Sequence, residues 1–366
     1  MTDSAINQHR LASHQITQSA FTKPVDVVTW FGAMQAQDFL AAKWALGLRL
    51  PGSTEGTIEQ AIADRSIIRT WAMRGTLHLI AADDIRWLLN LLRPRLYVAC
   101  SSLLRKLELD EKTLVKSYEA MARAMQGGKQ LIRSELKDAL EQVGIQTHDL
   151  RINGLLVRAA FDGLICCGVR RGSENTYTLL DEWVPATKSM GRDEALAELT
   201  KRYFMSHGPA TIQDFVWWSG LTVAEAKTGL SMINAQLAQE TTNGKTYWSA
   251  QQEPNFQDTS LVVHLLPSFD EYLVGYKDRS AALGALDIKQ VVSTGNGIFN
   301  PILVIGGRVV GTWKRTVKKN SVSIDPTLFY PLTEKQQQAF AVTCQRYGHF
   351  KGLNAVWPVE VGVAIH

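Results

Sequence analysis

Hydrophobic and polar positions along the first 250 residues repeat one arrangement, in which amphipathic helices precede a short pair of strands. In the first unit, apolar residues at helical spacing predict helices beginning near residue 23, over Phe39–Leu48 and over 57–64. Two strand-like runs, 67–73 and 76–80, then flank a glycine-containing turn that is typical of a hairpin. The pattern predicts three helices followed by two paired strands.

Two further units follow with the same order of elements. The second is predicted to have helices at 114–126, 131–143 and 150–163 before strands at 164–169 and 176–180. In the third, Thr211 with Asp214 three residues later is a helix-start signal, and Asn243-Gly244 is a strong hairpin-turn signal before the strand 246–248. A helix at 224–237 lies between these two signals.

After residue 255 the composition shifts towards strands. The expected elements there are strands at 261–266, 301–305, 308–313 and 321–324, followed by a helix at 333–346.

Three helices and a hairpin are typical of the winged helix, a helix-turn-helix variant with a β-ribbon wing. We therefore predict an α+β fold with three tandem winged-helix domains and a small β-barrel-like C-terminal domain. The predicted domains are 1–100, 101–188, 189–254 and 255–366. A generic α+β bundle remains the alternative.

Composition and charge narrow the functional classes. A chain of 366 residues exceeds what one core usually serves, so two to four domains are expected. The net charge of +4 permits nucleic-acid binding without requiring it. The four cysteines contain no Cys-x-x-Cys pair, which indicates reduced thiols in a cytosolic protein.

The sequence also predicts several absences. The eight histidines show no metal-ligand spacing, so we expect neither a metal nor another cofactor. The first twenty residues are mostly polar and no apolar run approaches the length of a membrane span. We expect a cytoplasmic, nucleoid-associated monomer that does not bind a membrane.

The triplet Gln35-Ala36-Gln37 is the strongest chemical candidate. In an extended segment, residues two apart point the same way, so the two amides would converge on one spot. Each amide offers a carbonyl acceptor and an NH2 donor, and the pair could hold a water or a polar ligand without carrying charge. The alternative is that both glutamines are ordinary surface residues.

The surroundings of this triplet resemble the winged-helix DNA glycosylases of the AlkZ/YcaQ type, over nearly the whole chain and in the same order of motifs. The matching segments are Met34-Gln35-Ala36-Gln37-Asp38-Phe39 with 42–49, then 69–78 including Arg74-Gly75-Thr76-Leu77-His78, then 267–276 including Pro267-Ser268-Phe269-Asp270-Glu271-Tyr272, with Asp278-Arg279, and Gly307-Arg308-Val309-Val310-Gly311-Thr312-Trp313.

The resemblance implies three tandem winged helices plus a β-barrel and the excision of alkylated bases, including bases in interstrand crosslinks. The family's catalytic motif is Gln-apolar-Gln or Gln-apolar-Asp. It maps here onto Gln35 and Gln37, which resembles the AlkZ branch more than the YcaQ branch. Double-stranded DNA with alkylated purines is the expected partner.

Two amides suit this chemistry. An N7-alkylated purine already carries positive charge and leaves without a strong general acid. The glutamine oxygens would orient the attacking water and present dipoles to an oxocarbenium-like state. Because neither glutamine is a strong base, we expect selectivity for labile, cationic lesions. We expect a monofunctional enzyme, since Lys43, the nearest amine, falls in a helix.

Basic residues on the predicted hairpins and beyond them are candidates for DNA contact. They could equally be solvated surface charges, and His78 could be a hydrogen-bonded structural histidine. The candidates are Arg69, Arg74 and His78 of the first hairpin, Arg170 and Arg171 of the second, and Lys314, Arg315, Lys318 and Lys319 of the densest basic cluster.

The acidic residues offer a competing explanation. Asp38 is predicted to be the N-cap of the helix starting at Phe39. Asp270, Glu271 and Asp278 could serve acid/base chemistry, but we favour ion pairing of Asp278 or Glu271 with an arginine. For the whole chain, the alternatives to an enzyme are a non-catalytic winged-helix DNA-binding protein or transcriptional regulator, and a protein-interaction scaffold.

Overall fold

The computed structural model of the chain describes residues 1–187, 189–251, 261–293 and 297–358. The helices are α1 (Asp3–Ser13), α2 (Pro24–Phe31), α3 (Phe39–Leu48), α4 (Glu55–Ala63), α5 (Ile85–Lys106), α6 (Glu111–Met125), α7 (Arg133–Gln142), α8 (Arg151–Phe161), α9 (Leu180–Trp183), α10 (Arg192–His207), α11 (Ile212–Ser219), α12 (Val223–Ile233), α13 (Glu271–Val274), α14 (Ser280–Leu283) and α15 (Glu334–Lys351).

The strands are β1 (Met34–Gln35), β2 (Ile67–Ala72), β3 (Thr76–Ala81), β4 (Leu131–Ile132), β5 (Ile165–Cys167), β6 (Thr176–Leu179), β7 (Leu237–Thr242), β8 (Lys245–Ala250), β9 (Val263–Leu266), β10 (Val292–Ser293), β11 (Ile298–Phe299), β12 (Ile302–Ile305), β13 (Arg308–Val317), β14 (Ser321–Leu328) and β15 (Asn354–Val356). Single 3-10 turns lie at Met73–Gly75, Asn234–Gln236 and Ile288–Gln290.

Local sequence signals set many of these boundaries. The side chain of Asp38 accepts a hydrogen bond from Ala41 N and begins α3, as predicted. Thr211 and Asp214 form the predicted capping box at the start of α11. Asn243-Gly244 joins β7 to β8 with both residues at positive φ, as a type I′ turn requires.

Three helices precede a hairpin in each of three successive segments. The first group is α2, α3 and α4 with β2–β3, the second α6, α7 and α8 with β5–β6, and the third α10, α11 and α12 with β7–β8. The chain is thus a mixed helix and strand fold, as predicted. The predicted boundary at 254 and 255 lies outside the described residues.

The first two groups share one six-stranded sheet in the order β1-β3-β2-β5-β6-β4. The hairpins meet where Arg69 of β2 pairs with Cys167 of β5. Strand β1 pairs antiparallel with β3 and is one of the two edge strands of this sheet. One edge of a continuous sheet therefore carries Gln35.

The C-terminal part contains a five-stranded sheet in the order β15-β14-β13-β12-β9. Helix α15 contacts both edge strands, β9 and β15, and Thr343 Oγ1 donates to Val263 O at 2.7 Å. In the described part of the chain no hydrogen-bond ladder joins β9 to β15. The sheet thus curls against α15, and a helix occupies the place where a closed barrel would have further strand pairing.

Helices of the first group pack against the C-terminal sheet. Buried apolar residues of α2 to α4 and of β9, β12, β13 and α15 form one core, while the second and third groups share another with α5. Trp44 Nε1 donates to Leu265 O at 2.7 Å, and its ring lies 5.0 Å from that of Tyr347. Elements of the N-terminal and C-terminal parts, which are far apart in sequence, therefore share one core.

The structure also differs from the predicted elements. Helices α1 and α5 are absent from the sequence prediction, and strands β13 and β14 are longer than predicted. The basic cluster was expected to follow the hairpin whose second strand was predicted at 308–313, but Lys314 and Arg315 lie within β13 and only Lys318 and Lys319 lie in the following turn. Among the described residues, no helix combines the length and apolar character needed to cross a bilayer.

A buried ion pair joins the N-terminal and C-terminal parts. Arg49 Nη1 and Nη2 each donate to one oxygen of Asp270 at 2.8 Å, and neither side chain is more than 3% exposed. Arg49 also donates to the carbonyls of His14 and Ala45, both at 2.9 Å. The bidentate geometry and the additional acceptors offset the cost of removing both charges from water.

Replacing Arg49 by methionine should destabilise the protein by about 3 to 5 kcal/mol, because Asp270 would be left buried and unpaired. Urea denaturation followed by circular dichroism measures this loss. The matched control is Arg123→Met, which removes an exposed arginine 4.0 Å from Glu119 and should change stability by about 0.5 kcal/mol or less. Equal losses in the two variants would contradict the role assigned to Arg49.

Candidate active site

The Gln35-Ala36-Gln37 segment lies on a sheet edge and leaves it within three residues. In the register of β1 and β3, Gln35 is opposite His78, and Ala36 N donates to Leu77 O at 2.7 Å. Ala36 is buried, whereas Gln35 is partly exposed and Gln37 is exposed. This alternation is that of an extended segment, and both glutamines have access to solvent.

Both glutamine side chains are anchored on the β2–β3 hairpin. Gln35 Oε1 accepts from Arg74 Nη2 at 3.3 Å, and Gln37 Oε1 accepts from Leu77 N at 3.1 Å. Each carbonyl oxygen keeps a second lone pair. Within the described ranges, no protein group accepts from the Nε2 amide of either glutamine. The geometry brings the two amides to one hairpin and leaves each able to bind a further polar group.

The backbone of the triplet is held from two sides. Arg69 donates from Nε and Nη2 to Ala36 O at 3.1 and 2.9 Å. On the other side, Gln35 N donates to Glu271 Oε1 at 2.7 Å. These charge-assisted bonds fix the peptide units that carry both side chains.

Glu271 is a buried carboxylate with three donors. Besides Gln35 N, its Oε2 accepts from Trp218 Nε1 at 3.0 Å and lies 3.4 Å from His207 Nε2. Burial opposes its ionisation, but the bonds from His207 and Gln35 lower the pKa of Glu271 below its usual range. Burial also lowers the pKa of His207, so the pair is a carboxylate with a neutral imidazole at neutral pH.

Arg74 points into the protein, where it caps a helix. It occupies the turn at a φ of 54°, and its Nη1 donates to the carbonyls of Trp217, at 3.2 Å, and Trp218. These carbonyls belong to the last turn of α11, where a cation is favoured. The expected insertion of Arg74 into a DNA groove is therefore not what this conformation shows: the guanidinium joins α11 to Gln35.

Arg69 and His78 are buried, at 5% and 1% exposure, so their expected contact with DNA needs correction. Arg69 is occupied by Ala36 O and by Asn175 Oδ1 at 2.9 Å. His78 bonds through Nδ1 to Thr76 O at 2.9 Å. Arg69 thus bonds the glutamine segment, and His78 bonds its own strand next to that segment.

The remaining basic candidates lie nearer the surface. Arg171 is exposed and pairs with Glu135 at 2.7 Å, while Arg170 bonds Ser173 O and lies 5.1 Å from the Phe39 ring centroid. In the C-terminal cluster, Lys314, Lys318 and Lys319 are exposed and Arg315 is partly exposed.

The acidic candidates make contacts inside the protein, but their partners differ from the prediction. Asp278 pairs with Lys245 and Glu271 contacts His207, and within the described residues neither forms a salt bridge with an arginine. The acidic candidate that does pair with an arginine is Asp270, which forms a salt bridge with Arg49. No group of three or more His, Cys, Asp or Glu side chains in the described ranges is placed to hold a metal ion.

Sequence reasoning missed the contact between Glu271 and Gln35. The segment 267–276 stood out as a family-like motif, but no spacing rule connects residues 236 positions apart. Trp218 and His207 gave no signal at all, because an indole and an imidazole in apolar helices are indistinguishable from ordinary core residues.

These features belong to a known class of enzyme. A sequence profile described as DNA glycosylase AlkZ-like matches residues 28–350, which is most of the chain. The chain therefore belongs to the AlkZ-like DNA glycosylase family, enzymes that cleave the bond between base and sugar, and the predicted resemblance is confirmed.

Two comparisons give more detail. The chain is 28% identical over 303 residues to an interstrand DNA cross-link repair glycosylase of Streptomyces sahachiroi, covering 79% of this chain and 81% of that protein. It also superposes on the solved structure of the Streptomyces sahachiroi DNA glycosylase AlkZ with a TM-score of 0.77, at 24% identity, covering 98% of this chain and 100% of the other. At that identity the superposition shows a shared fold.

Protein stability should fall in acid partly through His78. Burial and the nearby charge of Arg74 lower the pKa of His78 to about 4, from 6.5 in an unfolded chain. Because the unfolded state takes up the proton first, the stability is complete above pH 6.5 and is lost as pH falls towards 4. The loss amounts to about 2 to 3 kcal/mol by pH 4.5.

The measurement compares urea midpoints at pH 7.5 and 4.5 for wild type and His78→Gln. The variant should lose less stability between the two pH values, although His264, whose pKa burial also lowers to about 4, keeps part of the acid sensitivity. Exposed His148 provides the control, since His148→Gln should retain the wild-type difference. An unchanged pH difference in His78→Gln would contradict this assignment.

Proposed function

We propose that this DNA glycosylase hydrolyses the N-glycosidic bond of cationic N7-alkylpurines in duplex DNA, including purines in interstrand crosslinks, and leaves an abasic site. The observation that carries the proposal is the pair of solvent-accessible amides of Gln35 and Gln37, both hydrogen-bonded to one hairpin. The crosslink part is supported by the similarity to the interstrand DNA cross-link repair glycosylase of Streptomyces sahachiroi.

The proposed reaction uses water as nucleophile. The bond between the sugar C1′ and the base nitrogen breaks, its electrons neutralise the cationic base, and a water oxygen bonds to C1′ and releases a proton to solvent. A second lone pair on each glutamine oxygen orients that water and stabilises positive charge on the sugar. Neither amide is a strong base, which confines the reaction to bases that leave readily.

The proposal includes an architecture and a setting. Each group of three helices and a hairpin is proposed to be a winged helix, with domains at 1–100, 101–188 and 189–254, followed by a domain at 255–366 that contains the curled sheet. The enzyme acts as a monofunctional monomer on double-stranded DNA in the cytoplasm, at the nucleoid.

The site is tested by release of N7-methylguanine from a labelled duplex, read as strand cleavage after heat and alkali. The double variant Gln35→Ala with Gln37→Ala should react about 100- to 1000-fold more slowly, because the water is no longer oriented. The control Gln338→Ala makes the same chemical change at an exposed position of α15 and should react like wild type.

Two outcomes would count against the proposal. Absence of release by wild type, together with salt-dependent DNA binding, would support a non-catalytic DNA-binding protein instead. Equal rates for wild type and the double glutamine variant would leave the enzyme class intact and remove the two glutamines from its chemistry.

The exposed lysines of the C-terminal cluster are proposed to bind phosphates without reading sequence. Replacing Lys314, Lys318 and Lys319 together by alanine should weaken binding to any duplex. The slope of log binding constant against log salt should become shallower by about 0.9 for each phosphate that is no longer neutralised. Fluorescence anisotropy at several salt concentrations measures this slope, and an unchanged slope would show that these lysines do not bind DNA.

A further inference from the structure

The glutamine segment is flanked by two arginines that have no carboxylate partner of their own. Arg69 bonds the backbone of Ala36, and Arg74 bonds the side chain of Gln35. Neither guanidinium makes a salt bridge with an acid in the described part of the chain. The carbonyl groups at the end of helix α11 accept from Arg74, but they carry only a partial negative charge and do not neutralise the guanidinium.

This arrangement conflicts with the proposed chemistry. The lesion is cationic, and positive charge develops on the sugar as the bond breaks. Guanidiniums that lack a salt-bridge partner and lie a few ångströms away would repel both, and the repulsion strengthens where a bound duplex excludes water. The site therefore needs a fixed negative charge, which two neutral amides do not provide.

The carboxylate of Glu271 lies against the backbone of the glutamine segment. It is 1% exposed and bonds Gln35 N at 2.7 Å, and Trp218 and His207 approach its other oxygen. A nearby histidine and two further N–H groups keep it ionised in the interior. The charges of Glu271 and Arg74 attract one another across Gln35.

We propose that Glu271 is a positioning residue of the glycosylase site, which fixes Gln35 through its N–H and supplies the negative charge that lets a neutral amide pair face a cationic substrate. This inference rests on the proposed function and adds a residue that touches neither base nor water. In this proposal, the negative charge of the site comes from a buried side chain.

The main test is single-turnover release of N7-methylguanine by Glu271→Gln, which removes the charge and keeps the size. The rate should fall about 10- to 100-fold. The dissociation constant for a duplex with an abasic-site analogue should change less than about threefold, because the variant leaves the exposed basic residues untouched. A parallel loss of rate and of DNA binding would indicate a structural defect and overturn the proposal.

Charge rescue separates an electrostatic role from a packing role. Gln37→Asp returns one carboxylate to the same segment, and the single variant Gln37→Asp measures separately what the loss of the second amide costs. The rate loss caused by Glu271→Gln should be at least about fivefold smaller in the Gln37→Asp background than in wild type, since one negative charge remains. An equal loss in both backgrounds would show that the charge is not what Glu271 contributes.

A second pair of variants serves if Glu271→Gln fails to fold. Trp218→Phe removes one donor to Glu271 and leaves its charge, and should slow release about three- to tenfold. Trp217→Phe removes an indole N–H one residue away, which bonds Val274 O at 3.1 Å, and should slow release less than about twofold. Equal effects of the two substitutions would count against Glu271.

Asp38→Asn is the control for charge alone. Asparagine also caps a helix, so α3 keeps its N-terminus, and the partly exposed Asp38 is screened by solvent. The rate should change less than about threefold, and a larger effect than that of Glu271→Gln would assign the charge to Asp38. If wild type cleaves and Glu271→Gln cleaves equally fast, only this inference fails; if wild type does not cleave, the proposed function fails with it.

Discussion

The structure around the glutamine segment depends on one buried carboxylate. Glu271 accepts a hydrogen bond from Gln35 N in the first group of elements and from Trp218 Nε1 in the third, and it contacts His207 at the end of α10. A carboxylate in the interior is tolerated only when its oxygens are bonded. Its need for donors therefore fixes the relative positions of three regions, and the orientation of Gln35 follows from theirs.

The neighbouring ion pair explains why Glu271 is in place. Asp270 holds Arg49 in a bidentate pair and also accepts from Tyr272 N, which begins the short helix α13. The next residue, Glu271, has different partners: Gln35 N, Trp218 Nε1 and His207 Nε2. The two adjacent acids therefore join one short segment to several distant parts of the chain. Such pairs contribute little net stability compared with apolar packing, but they specify which surfaces meet.

In the candidate site, the solvent-accessible side chains and the charged side chains are different residues. Gln35 and Gln37 are the accessible groups, and both are neutral. The arginines beside them serve as anchors: Arg69 binds a peptide carbonyl and Arg74 caps α11. Two arginines that the sequence suggested for DNA contact therefore make hydrogen bonds inside the protein. Exposed basic side chains lie on other elements, such as the turn after β13.

Local patterns in the sequence determined most of the helices other than α1 and α5, the hairpins, the caps at Asp38 and Thr211, the extended Gln35-Ala36-Gln37 segment and the family, because periodicity, capping and turn chemistry act over a few residues. The tertiary structure alone decided that Arg69 and His78 are buried, that Arg74 turns inward, that two hairpins fuse into one sheet, and that Glu271 meets Gln35 across 236 residues. These contacts arise from the packing of distant segments into shared cores, for which no spacing along the chain is diagnostic.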